Sequence, residues 1–229
     1  MKTYTISGKN DGFGAQYLAI MSGIAFCKYK NYKYVHTNIK YLEHSLNVDF
    51  INKFIGIPQD ISYNNIDIIE EYSFHVHTSK NPDMFYTNNV VDTFRKYYYS
   101  TKKPIIKQFD IVIHIRRGDV TPYKNADRYV PNIYYVKLIN YFSKRFNHKI
   151  TIFSQGNLED FNDFKGKNVN LILNCEVCTM YHIFVEAKIL VTSKSSLSYS
   201  AALLNRNNIY YLNYIHYPLK HWIKLDSII

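Results

Sequence analysis

Asp110-Ile111-Val112-Ile113-His114-Ile115-Arg116-Arg117-Gly118-Asp119 decides the fold. A run of mainly β-branched residues predicts a buried strand, and charged residues arrive where that strand ends. In an open α/β sheet, ligands bind outside the carboxyl ends of the strands, and guanidinium groups match the geometry and charge of phosphate oxygens. Arg116 and Arg117 are therefore expected to form one wall of a phosphate site. The plainer alternative is a surface ion-pair cluster with Asp119 and neighbouring acids.

Downstream, the pattern alternates. A helix is expected from Pro131 to Phe146, a strand from Lys149 to Ser154, a short helix from Leu158 to Phe164 and a strand from Val169 to Leu173. A helix from Thr179 to Ala187 follows, then a strand from Ile189 to Thr192, a helix from Ser195 to Leu204 and a strand from Ile209 to Leu212. Repeated βα units imply an α/β fold, with a parallel sheet wrapped by helices on both faces. Upstream, Thr3 to Ser7 reads as a strand, followed by a loop containing Gly8, Gly12 and Gly14 and a helix from Gln16 to Lys30. That opening suits a nucleotide-type fold, but its spacing matches neither G-x-G-x-x-G nor a P-loop. Tyr34 to Thr37 is expected to be a strand, and Leu46 to Ile55 an amphipathic helix ending at Gly56 and Pro58. From Ser62 to Lys103 the pattern weakens toward irregular structure and short helices. A boundary between Thr101 and Gln108 divides the chain into an amino-terminal lobe, 1–105, and a carboxyl-terminal lobe, 106–229.

The length of 229 residues suits one large or two small domains, and 47% apolar content permits a sizeable core. With 23 Tyr and 14 Phe, that core should be aromatic and rigid. The formal charge of +10 favours anionic partners: nucleotides, nucleic acid or acidic glycans. Of the three cysteines, Cys175 and Cys178 form a single C-x-x-C without a second ligand pair, so no metal is expected there. His75 and His77 flank Val76, and alternation puts both on one strand face, but with no third ligand a solvated strand is preferred. Lys28 to Tyr34 interleaves bases and aromatics as single-strand nucleic-acid platforms do. It reads better as a helix end, a turn and a strand. No apolar stretch near Met1 has signal-peptide length, and nowhere do about 18 uncharged apolar residues run together. A chain without a membrane span, in the cytoplasm, is the expectation.

A second stretch carries chemistry: Ile189-Leu190-Val191-Thr192-Ser193-Lys194-Ser195-Ser196-Leu197-Ser198. A buried strand runs into hydroxyl residues and then a helix, so backbone N–H and serine O–H groups converge at the helix start, as in an anion site. The alternative is an ordinary Ser N-cap.

His114-Ile115-Arg116-Arg117-Gly118-Asp119 fits His-x-Arg-Arg-x-Asp, and in that motif the chain resembles the fucosyltransferase superfamily that makes α1,2 and α1,6 linkages. The strand and Ser195-Ser196 helix start are similar to that superfamily's last shared motif, with Ser196 at the serine that contacts the donor diphosphate. Gly12-Phe13-Gly14-Ala15-Gln16 resembles its amino-terminal Gly-x-Gly-Asn-Gln loop. Arg128 to Tyr135 resembles the segment leading into the next helix, and Thr151 to Ser154 with Gln155 sits where relatives have Phe-Ser-Asp. These markers keep their order across most of the chain. There are two departures: Ala15 stands for Asn, and Met180 stands for an Asp that helps read guanine, a role left to Glu176, to backbone groups or to a different nucleotide.

The resemblance implies a GT-B-like architecture, with two Rossmann-like lobes and a cleft between them. It implies an inverting, metal-independent glycosyltransferase without a cofactor, transferring fucose from GDP-fucose to a glycan acceptor. Arg116 is expected to stabilise the leaving diphosphate, with Arg117 either sharing that task or holding the loop. Asp119 either orients the arginines or acts as general base. The donor-binding residues are then His114, Arg116, Arg117, Ser195 and Ser196, together with Gly12, Gly14 and Gln16 of the glycine loop, whose lobe also shapes the acceptor side. Two other readings stay open: a basic single-stranded nucleic-acid-binding module, whose partner class is the less expected one, and a nucleotide-sugar-binding protein without turnover.

Overall fold

The computed structural model describes residues 2–6, 10–43, 47–59 and 74–228, together with the backbone of 68–70. The chain separates into two compact units, Met1–Lys103 and Pro104–Ile229.

The first unit holds a three-stranded parallel sheet in the order β2-β1-β3, with β1 at Thr3–Thr5, β2 at Lys33–Tyr34 and β3 at Ile68–Glu70. Helix α1 (Phe13–Lys30) is buried around most of its circumference, as an apolar helix packed between other elements must be. It begins three residues earlier than the sequence indicated, because Gly12 O already accepts the Ala15 and Gln16 N–H groups. The helix ends where Asn31 takes the left-handed conformation, with Lys28 and Lys30 in the last turn and Tyr32 N–H on Cys27 O. The base-rich stretch from Lys28 is thus a helix end leading into β2. The unit is completed by α2 (Val48–Ile55), α3 (Phe74–Lys80), α4 (Pro82–Phe85) and α5 (Asn88–Tyr99).

Here one expectation is corrected. His75 and His77 lie on α3, not on a strand, and residues two apart on a helix do not share a face. The segment expected to hold irregular structure and short helices contains α3, α4 and the 12-residue α5, which the spacing of Val90, Phe94 and Tyr98 closes against the core. Ser7, Gly8 and Leu46, and residues 62–67 and 71–73, lie outside the described residues.

The second unit is a six-stranded, all-parallel sheet in the order β6-β5-β4-β7-β8-β9. Its strands are β4 (Ile111–His114), β5 (Ile150–Ser154), β6 (Val169–Leu173), β7 (Ile189–Val191), β8 (Asn208–Tyr211) and β9 (Ile223–Lys224). Helices α6 (Asn132–Arg145), α7 (Val177–Glu186) and α8 (Ser196–Leu204) make the crossovers. The α/β alternation and parallel sheet expected from the sequence are present. Strands β4, β5 and β7 are buried throughout, as strands covered on both faces must be. Alternation sorts the side chains of β4: Ile111, Ile113 and Ile115 join the core with Leu138 and Phe142 of α6. His114 turns to the other face, against Phe184 of α7, with ring centroids 5.0 Å apart. From β4 the chain builds outward through β5 to β6, then returns to place β7 on the opposite side of β4. The carboxyl ends of β4 and β7 therefore form a topological switch point, where open α/β sheets bind ligands.

Candidate functional site

At that switch point the loops after β4 and β7 meet. His114 closes β4 with only 4% exposure, and its Nδ1 lies 2.7 Å from Ser193 Oγ, just past β7. Burial, and then the neighbouring Arg116 charge, push the His114 pKa down to about 3, so the ring is neutral at physiological pH. Ser193 N–H donates to Ser198 Oγ at 3.1 Å, linking the β7 end to the first turn of α8. Lys194 Nζ donates to Asp127 O at 2.9 Å, tying the same two loops together farther out.

The two adjacent arginines have opposite fates, and the alternation of β4 explains why. Ile115 N–H still donates to Phe153 O at 2.9 Å, so the extended backbone runs past His114. Arg116 then falls on the side of His114, and Arg117 on the side of α6. Arg117 is buried and braced within the protein: its guanidinium donates to Arg116 O at 2.9 Å, Val130 O at 2.8 Å and Asn132 Oδ1 at 2.7 Å. It also lies over the Tyr129 ring, 4.4 Å from the centroid. Of its two expected roles, the geometry fits holding the loop. Asn132 extends the brace, donating to Asp160 O and Asp163 Oδ2 at 2.7 and 3.0 Å.

Arg116 remains partly exposed, its Nη2 2.7 Å from each carboxylate oxygen of Asp119. That ion pair, with side chains 22% and 28% exposed, fits the orienting role for Asp119. Gly118 between them sits at φ +81°, and a Cβ there would come within 2.9 Å of Gln155 Oε1. Only glycine serves this turn without strain.

At the start of α8, Ser195 is an N-cap whose Oγ accepts the Leu197 N–H at 3.2 Å, and its side chain is buried. One lone pair of its hydroxyl thus serves the helix, as in an ordinary Ser N-cap. Ser196 is half-buried, and its Oγ lies 3.3 Å from Nε2 of His216. Sequence reasoning missed His216. Nothing marks it in a pattern, because it follows β8 in an irregular segment, Leu212 to Leu219, which tyrosine hydroxyls hold in place.

Met180 and Glu176 both have structural places in α7. Met180 is buried in α7. Glu176 caps α7: its carboxylate accepts from Cys178 N at 2.9 Å, Thr179 N at 2.8 Å and Thr179 Oγ at 2.9 Å. Burial pushes its pKa up, but those hydrogen bonds outweigh it and hold the group below the usual carboxylate range. Cys175 and Cys178 are not in a disulfide, and no group of three or more metal-ligating side chains occurs among the described residues. Nor is any described helix long and apolar enough to cross a membrane.

Gly12, Gly14 and Gln16 belong to the first unit. Gly12 is the N-cap of α1, with its N–H on Asp11 Oδ1 at 2.8 Å, and Gly14 is buried in the first turn. Gln16 Nε2 donates to Asp11 O at 2.8 Å and Tyr41 O at 2.7 Å, pinning the loop ahead of the helix to a later segment. That nitrogen is taken up within the protein, which leaves the Gln16 amide oxygen as the atom able to meet a ligand. None of the three lines the cavity of about 390 Å³ in this unit, which is formed by Ile24, Tyr34, His36, Ile57, Pro58, Gln59 and Tyr97.

No protein-family model matches the sequence, and no curated protein matches it. Among solved structures, the chain is distantly similar to the E. coli heptosyltransferase WaaC with ADP-2-deoxy-2-fluoro heptose. That match has 10% identity, covers 97% of this chain and 92% of that one, and has a TM-score of 0.48. It is also similar to the fucosyltransferase NodZ from Bradyrhizobium, at 10% identity over 90% and 94% of the two chains with a TM-score of 0.44. POFUT1 in complex with GDP-fucose matches at 11% identity over 90% and 95%, with a TM-score of 0.45.

Proposed function

We propose that the second unit binds the diphosphate of a nucleotide sugar between the β4 and β7 loops, and that the protein is an inverting, metal-independent glycosyltransferase acting on a glycan hydroxyl. One observation carries this: at the switch point of the sheet, Arg116 and the hydroxyl-rich start of α8 occupy the ends of adjacent parallel strands, joined through His114 and Ser193. A guanidinium on one side and a helix start on the other form a two-sided anion site.

As the acceptor oxygen bonds to the anomeric carbon, the bond from that carbon to the diphosphate oxygen breaks and negative charge grows on the departing phosphate. Groups already aimed at the place where charge develops accelerate such a step without reorganising. Arg116, held by Asp119, supplies a fixed positive charge, and Ser196 with the α8 amides supplies hydrogen bonds. His114 is kept neutral, so its ring contributes shape and a hydrogen-bonding edge rather than charge. The choice of GDP-fucose as donor rests on the His-x-Arg-Arg-x-Asp resemblance.

A thermal-shift series with GDP, UDP, ADP and their sugars, followed by assay of GDP release from GDP-fucose, tests this reading. A site ligand at about 100 times its Kd stabilises the folded state by about 2.7 kcal/mol. Stabilisation by GDP, at least halved in Arg116→Ala, is expected. No stabilisation by any nucleotide overturns the proposal, and binding without turnover reduces it to a nucleotide-sugar-binding protein.

A further inference from the structure

The segment after β8 is fastened against the first turn of α8 more firmly than a surface loop requires. Tyr199 OH, on α8, donates to Tyr217 O at 2.7 Å. Tyr211 OH donates to the His216 carbonyl and accepts the Tyr214 N–H at 2.9 Å. Between these anchors, His216 is 3% exposed. Its ring is packed on Tyr199 with centroids 5.0 Å apart and on Tyr214 at 5.9 Å, and its Nε2 faces Ser196 Oγ. Trp222 backs the same cluster, 5.2 Å from the Tyr199 ring. The imidazole is thus locked in orientation, with one nitrogen presented to the half-buried serine that opens α8.

We propose that His216 is a positioning residue for the anion site: its Nε2–H donates to Ser196 Oγ and so aims the Ser196 proton at the bound diphosphate. The inference rests on the proposed role of the α8 start in holding that diphosphate. A serine hydroxyl has one proton and two acceptor lone pairs. If His216 accepted that proton, Ser196 would turn lone pairs toward phosphate oxygens, an acceptor facing an acceptor. With the proton on Nε2, a lone pair of Ser196 is occupied and its own O–H is left to point outward, to an anion. Histidine thereby converts a freely rotating hydroxyl into a directed donor, acting through Ser196 and touching neither sugar nor phosphate itself.

Two measurements test this. In ligand-free protein labelled with ¹⁵N-histidine, the His216 ring, identified by the signal missing from His216→Phe, is expected as the Nε2–H tautomer; the Nδ1–H tautomer overturns the proposal. GDP affinity is then measured for the wild type, Ser196→Ala, His216→Phe and the double variant. Loss of one hydrogen bond to a charged group predicts roughly tenfold weaker binding for each single variant. The double variant is expected to be no weaker than Ser196→Ala alone. His216→Gln, whose amide can donate from nearly the same place, is expected to recover most of the loss. Additive losses in the double variant mean that His216 acts through general packing, and the proposal fails while the diphosphate site stands. Equal GDP binding by the wild type and Ser196→Ala removes the diphosphate reading at α8, and this inference with it.

Discussion

Arg116 and Arg117 are neighbours in sequence, yet replacing each by alanine should give opposite phenotypes. Arg117→Ala leaves Val130 O and Asn132 Oδ1 without their guanidinium donor, and it removes the stack on Tyr129. Each buried acceptor left unsatisfied costs about 1–3 kcal/mol. Because Asn132 keeps its bonds to Asp160 and Asp163, the total is set at about 3 kcal/mol. At about 2–4 °C per kcal/mol for a chain of this size, Tm falls by about 6–12 °C. Arg116→Ala removes only an ion pair whose partners are each roughly a quarter exposed, worth under about 1 kcal/mol. Its Tm should therefore move by no more than about 4 °C, while GDP affinity drops about 10–100-fold through loss of a charge-assisted contact. Urea and thermal unfolding, with a GDP titration of each variant, read both effects. A normal Tm for Arg117→Ala, or normal GDP affinity for Arg116→Ala, refutes the division of labour drawn from the strand alternation.

Gly118→Ala should destabilise the loop by about 1–2 kcal/mol, since it imposes a left-handed conformation on a residue with a Cβ and crowds Gln155; unfolding in urea measures it. Acid should weaken the fold before the carboxylates titrate. His114 and His36 are held neutral by burial, with pKa values lowered to about 3 and about 4, so their stabilising contribution is full above the unfolded value of about 6.5. It is lost as pH falls below that value, by up to about 1.4 kcal/mol per unit for each ring. Urea midpoints at pH 7 and pH 5 test the sign, and equal midpoints contradict it. Glu176→Ala should cost about 1 kcal/mol through loss of the α7 cap, read by thermal unfolding. It should leave the preference among GDP, UDP and ADP unchanged, because that carboxylate already serves the helix.

What was legible in the sequence was what repeats. Strands such as Ile111 to His114 and Ile150 to Ser154 announce themselves by unbroken apolar runs, because a parallel sheet covered on both faces needs them. The charges at Arg116 and the serines at Ser195 announce themselves by position, at strand ends. The same alternation that buried Ile113 and turned His114 away from it also separates Arg116 from Arg117, so their different fates were legible had the period been carried two residues past the strand. The three-stranded first unit was harder. Its β2 spans only Lys33–Tyr34, and His75 and His77 looked like strand alternation because a seven-residue helix shows too little of its period. His216 was beyond reach, since its contact with Ser196 depends on tyrosine hydroxyls folding an irregular segment back onto α8.

The account stands most directly on where a nucleoside diphosphate binds. In a crystal structure of the protein with GDP, the phosphates should lie at the start of α8, with oxygens within hydrogen-bond distance of Arg116 and of Ser196 Oγ. A nucleotide lodged elsewhere, with the Arg116–Asp119 pair and Ser196 untouched, contradicts it.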